Sequence, residues 1–334
     1  MTYSSKPFFV LLILTFLTGF AYAQTFTNPL LPNGADPWVT YEGGYYYYTN
    51  TVGNRLILYK TQNLAELGQV QPKTVWTPPA TGPNSKDIWA PELHRLDGKW
   101  YLYYTATDQA KPGDMNRYVF VLENASADPL QGTWVDKGKM NTKFTGLDGS
   151  IMTHKGQRYF LYSAYDGPQS VLHIVKMKNP WTLTGSEVTI ARPTHDWEKY
   201  DGREICEGPE FLQRDDKSPL CIVYSASACW DDNYSLGLLT APANADPMNA
   251  AAWIKTPKPV FEKSEANGVY GPGHNGFFKT KNGQNWLVYH AKSVANKACR
   301  ERNPRMQPFG WNADGTPDFG VPVATTEKLK VPEN

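Results

Sequence analysis

Five residues return at one place in a repeated segment of this chain, and their types are those of acid–base chemistry. They are Asp36, Glu92, Asp148, Glu207 and His274, separated by 56, 56, 59 and 67 residues. Two carboxyl groups, one protonated and one ionised, can donate and accept a proton at a single bond. Crowding acids in a low-dielectric site is a direct way to split their pKa values. Taken one at a time, each has an ordinary explanation. Asp36 stands before Pro37 and could be a turn residue; Glu92 and Glu207 lie beside Pro or Gly and could be solvated; His274 follows Gly271-Pro272-Gly273 and could be structural. Their common register argues otherwise. Four acids brought to one axis would repel, and strand openings are poor places for acids. Catalysis or cation binding is the use such an arrangement has.

The elements that must position them are read from the repeat. Asp36-Pro37-Trp38-Val39 runs through Gly43-Gly44 into Tyr45-Tyr46-Tyr47-Tyr48-Thr49. The same form returns at Ala90-Pro91-Glu92, at Asp148-Gly149-Ser150, at Glu207-Gly208-Pro209 and at His274-Asn275-Gly276. Each copy is a short strand, a turn, and an aromatic strand ending in Thr, Ser or His, which is a hairpin pattern. Third and fourth strands follow in the first four copies. Four strands per unit, in five units, predict an all-β fold: a five-bladed β-propeller, with four-stranded blades around a central channel. In such a fold the first strand of each blade lies nearest the axis, so the five residues would face the channel at one end. Two β-sandwiches would need a linker near the middle, and a β-helix repeat is far shorter.

Composition sets the outer bounds. The 334 residues hold 33 Lys+Arg against 32 Asp+Glu, 11 Trp, 20 Tyr, 27 Gly and 26 Pro. So many aromatics exclude a disordered chain, and the Gly and Pro content argues against a helical bundle. The charge balance gives no strong field for nucleic acid. Residues 1–23 read as a signal peptide: Lys6, an apolar run from Phe8 to Phe20, and Ala21-Tyr22-Ala23 before Gln24. Its removal takes away one Lys and no acid. Residues 24–334 are then expected to form one secreted or periplasmic catalytic domain, off the membrane and monomeric. Of the four cysteines, Cys229 and Cys299 fall in equivalent loops of adjacent units, where a bridge is expected; Cys206 and Cys221 are expected to be free and buried.

With these motifs in order over essentially the whole mature chain, the sequence resembles glycoside hydrolase family 43, five-bladed propeller enzymes of arabinose- and xylose-containing polysaccharides. The carrying motifs are Ala35-Asp36-Pro37, Trp89-Ala90-Pro91-Glu92, Asp148-Gly149-Ser150, Glu207-Gly208-Pro209 and Gly273-His274-Asn275. The opening Asn28-Pro29-Leu30 and the closing segment Gln307–Gly315 look most like exo-acting α-L-arabinofuranosidases. The resemblance implies an inverting mechanism, with Asp36 as general base, Asp148 raising the pKa of the acid and orienting it, and Glu207 as general acid. It implies substrate contacts from Glu92 and Arg305, and a structural calcium near His274 held largely through water, with no cofactor needed for the chemistry. Trp89 and Trp230 are expected to pack against the furanose. The expected substrate is terminal α-L-arabinofuranose on arabinan, arabinoxylan or arabino-oligosaccharides. A β-xylosidase or an endo-arabinanase would use the same acids. A sugar-binding propeller without catalysis would repeat its binding residues in every unit, which this chain does not do.

Overall fold

The computed structural model describes residues 1–3 and 24–333. The expected signal peptide therefore lies almost wholly outside the described residues. Among those described there is no α-helix, only short 3₁₀ turns, and no helix long and apolar enough to cross a membrane.

The rest is a series of antiparallel meanders. The first runs Ala35–Glu42, Tyr45–Thr51, Leu56–Thr61, Lys73–Trp76; the second Lys86–Leu96, Lys99–Thr107, Tyr118–Asn124, Val135–Lys139. The third runs Gly146–His154, Gln157–Asp166, Gln169–Asn179, Thr182–Ala191; the fourth Arg203–Leu212, Leu220–Ala226, Ser235–Ala241, Ile254–Lys255. The fifth has three strands, Tyr270–Lys279, Asn285–Lys292 and Asn303–Pro308. The outer edge of that last strand is covered by the start of the chain. Asn28 exchanges two hydrogen bonds with the Met306 backbone, and the Leu30 N–H donates to the Pro304 carbonyl at 2.8 Å. The first strands of successive sheets touch one another, and that of the fifth touches that of the first.

The aromatic strands show why the sheets stack. Side chains alternate between the two faces of a strand. Trp100, Leu102 and Tyr104 pack with Leu56, Leu58 and Tyr47 of the first sheet; Tyr101 and Tyr103, on the other face, pack with Phe160 and Tyr162 of the third. The same division gives five apolar wedges, one between each pair of neighbours, including the fifth sheet and the first. A sheet apolar on both faces has no solvent side and needs a neighbour on each. Cys206 and Cys221 are free and buried within these wedges.

Candidate active site

Each first strand bends where it enters the centre. The residue at the bend adopts a left-handed backbone: Asp36 (φ 55°), Ala90 (φ 44°), Asp148 (φ 55°), Gly208 (φ 56°) and His274 (φ 48°). The residue just before each bend pairs with a polar residue of the second strand: Ala35 with Thr51, Trp89 with Thr105, Leu147 with Ser163, Glu207 with Ser225, Gly273 with His290. These polar side chains also reach across to the next sheet. The amide of Asp36 donates to His290 Nδ1 (3.1 Å), that of Ala90 to Thr51 Oγ1 (2.7 Å), that of Asp148 to Thr105 Oγ1 (3.0 Å) and that of His274 to Ser225 Oγ (2.7 Å). The left-handed conformation is unfavourable for a residue with a Cβ, and these bonds from buried amides help hold it.

This register corrects the expected ring. Asp36, Asp148 and His274 are equivalent, but Glu207 stands one residue before its bend and Glu92 two residues after. Glu92 consequently lies along the strand, not at its opening, and is not among the residues lining the cavity. Its carboxylate meets His94 Nε2 at 2.8 Å and lies beside Glu210, whose acid is driven up by burial and by the Glu92 charge.

The cavity, of about 470 Å³, is lined by Asp36, Asp148, Glu207 and His274, by Thr51 at the end of the strand Tyr45–Thr51, and by residues from the other four second-to-third-strand loops. Those loops bring Asp114, Pro168, Trp230 and Arg302, among others. Cys229 and Cys299, from the fourth and fifth loops, form the expected disulfide with Cα atoms 5.2 Å apart. Trp89 and Trp230 both line the cavity. One face of Trp89 is covered by the Arg117 guanidinium, 3.9 Å from the ring centroid, whereas Trp230 is 40% exposed.

Asp36 is wrapped in polar groups. Thr51 Oγ1 donates to its Oδ2 at 2.7 Å and Arg302 Nη1 to its Oδ1 at 3.0 Å; His274 Nδ1 and His290 Nδ1 each stand 3.5 Å from Oδ1. Burial works against ionisation here, but Arg302, His274, His290 and the Thr51 bond together outweigh it. The carboxyl is held well below the usual carboxylate range. Burial drives the His290 imidazole strongly towards neutral, and Arg302 adds to this.

Asp148 and Glu207 go the other way. Burial raises Asp148 far above its ordinary value, and the charges of Glu207, Asp36 and Glu92 push in the same direction. Burial raises Glu207 too, against the hydrogen bond that Tyr234 OH donates to its Oε1 at 2.7 Å. Burial and charge thus disfavour ionisation of these two acids, where the surroundings of Asp36 favour it. Such a cavity can give a proton at one point and take one at another.

Arg305 is not at the site. It lies within Asn303–Pro308, fully buried, bonded to Asn303 and Ser293. The strand begins at Asn303, and that turns Arg305 inward. Arg302, just before the strand, is the arginine that reaches Asp36. Thr51, Tyr234, His290 and Arg302 were all missed. The Thr, Ser or His ending the aromatic strands was the one available signal: it pointed to His290 and, in the first repeat, to Thr49 rather than Thr51, two residues on. Among the described residues no group of three or more His, Cys, Asp or Glu is placed to hold a metal ion. Calcium takes six to eight oxygen ligands, so an ion below His274 would depend on water for most of them.

A family model described as glycosyl hydrolases family 43 matches residues 26–317. The chain is 42% identical over 315 residues to an extracellular exo-alpha-(1->5)-L-arabinofuranosidase of Streptomyces avermitilis, covering 90% of this chain and 64% of the relative. A protein of the same name from Streptomyces chartreusis is 38% identical, over 84% of this chain and 87% of the relative. The crystal structure of an alpha-L-arabinofuranosidase from Lactobacillus brevis superposes with a TM-score of 0.83 at 32% identity, covering 90% of this chain and 98% of that one. The match to the family model, with these relatives, establishes that the chain belongs to family 43 of the glycosyl hydrolases.

Proposed function

We propose that the protein is a secreted, inverting exo-α-L-arabinofuranosidase, monomeric and built as a five-bladed propeller around the cavity. The observation that carries the reading is the opposite surroundings of buried carboxyl groups in one cavity: Asp36 lies among Thr51, Arg302 and two histidines, which favour its ionised form, whereas burial and neighbouring acids disfavour ionisation of Asp148 and Glu207. Asp36 takes a proton from water as the water attacks the anomeric carbon. Glu207 gives its proton to the departing glycosidic oxygen. Asp148 keeps Glu207 protonated until that moment, because two neighbouring carboxylates cannot both ionise cheaply. Water then carries the proton from Asp36 to solvent and returns one to Glu207. In an inverting enzyme the two working carboxyls stand roughly 6.5–9.5 Å apart, leaving room for the water.

The substrate is proposed to be a terminal arabinofuranose on a plant polysaccharide or oligosaccharide, as the names of the relatives suggest. Closure of the propeller is supported by the contact between the first strands of the fifth and first sheets. The cavity is walled by four of the five loops between second and third strands, which favours one terminal sugar over a chain passing through. No cofactor is needed for these proton transfers, and a calcium ion below His274 would be structural.

Release from an aryl α-L-arabinofuranoside and an aryl β-D-xyloside, measured side by side, tests the sugar. Proton NMR of the first product tests the stereochemistry. Arabinose of inverted configuration is expected; faster xyloside cleavage, or retained configuration, would overturn the reading.

A further inference from the structure

The chemistry proposed for Glu207 says where the leaving group must lie. A general acid touches the glycosidic oxygen, so the sugar being left behind occupies the side of the cavity from which Glu207 is reached. The strand Arg203–Leu212 enters from that side: Arg203 is exposed, Glu204 and Ile205 are half-buried, and Cys206 is buried. Arg203, Glu204 and Ile205 all line the cavity.

Arg203 does not stand alone. Its Nη2 donates to Asp114 Oδ2 at 2.7 Å, joining the fourth sheet to a loop of the second. Asp114 is held in turn by Arg117, whose side chain is 5% exposed, stacked on Trp89 and paired with Asp87 at 3.2 Å. The outer pair is 49% and 45% exposed, and exposed ion pairs contribute little to stability. Among the described residues Asp114 is the only polar partner found for the Arg203 side chain. A guanidinium has five N–H donors, so most remain for something else. A planar donor fork beside a carboxylate acceptor suits the adjacent hydroxyls of a sugar, and such charge-assisted bonds are the stronger kind.

We propose that Arg203 and Asp114 form the leaving-group subsite, binding the hydroxyls of the sugar from which the terminal residue is cut. This rests on the assignment of Glu207 as the acid. The test compares two substrates of the same released sugar: a p-nitrophenyl glycoside, whose leaving group has no sugar hydroxyls, and the corresponding disaccharide. In Arg203→Ala and Asp114→Asn, kcat/KM on the disaccharide is expected to fall by about tenfold more than on the aryl glycoside. Activity on the aryl glycoside also shows that each variant is folded. Equal losses on both substrates would overturn the subsite while leaving the acid–base reading standing. A wild-type enzyme that cleaves neither substrate would overturn both.

Discussion

Two sides of one cavity place carboxyl groups in opposite surroundings. Asp36 and Asp148 share a backbone conformation, an equivalent place in the repeat and nearly complete burial. Burial alone would raise both. Asp36 is nevertheless held low because Arg302, His274 and His290 surround it and Thr51 donates to it. Asp148 meets three further carboxylates and has one buried oxygen with no hydrogen-bond partner. The local fold is therefore not what separates these two carboxyls. The neighbours delivered by other sheets and loops do that, and the repeat supplies only equivalent sockets.

The strongest way to break this comparison is to remove one member of each side. Asp36→Ala should lower kcat/KM on every substrate by about 10²–10⁴-fold. Glu207→Ala should do the same on natural linkages but much less on an aryl glycoside with a good leaving group, which needs little protonation. Similar losses for the two variants on that glycoside would erase the distinction between base and acid.

A smaller effect should follow from Arg302→Met, which takes away the first of the charges holding Asp36 down. Loss of a stabilising cation raises the pKa of a carboxyl. The acid limb of the kcat/KM profile, where the base becomes protonated, should move to higher pH. An unmoved limb in an active variant would mean that Arg302 does not set the state of the base.

On the other side, Tyr234→Phe sharpens the picture. The Tyr234 bond opposes the upward shift of Glu207, so its loss should raise the acid further. The alkaline limb should move up by about one pH unit, with kcat reduced less than tenfold. A limb that moved down would contradict the hydrogen-bond assignment. The smallest effect is expected from chelation: treatment with EDTA should leave kcat/KM on an aryl arabinofuranoside unchanged, because side chains carry the protons. A loss restored by calcium would make the ion part of the working site.

The hairpins were legible in the chain, since two-residue alternation and Gly turns are local. Asp36, Asp148 and Glu207 were legible as site residues because each sits at a motif. The bridge between Cys229 and Cys299 followed from equivalent loops. What misled was counting positions across repeats. Glu92 matched by motif but stands two residues beyond the bend, and a bulge of that size has no signature in composition. Arg305 came from the resemblance alone, and the start of the third strand at Asn303, which turns it inward, had no signal in the sequence.

By itself the sequence determined the period: five copies of an aromatic hairpin, each apolar on both faces, which cannot be buried unless neighbours stack. It also determined which acids open or adjoin the first strands. Only the tertiary structure decided what those acids do. Protonation depends on the groups within a few ångströms, and those around Asp36 include Arg302, His274 and His290, more than 200 residues away along the chain. Such neighbours are set by how the last sheet meets the first, and that contact exists only in the folded molecule.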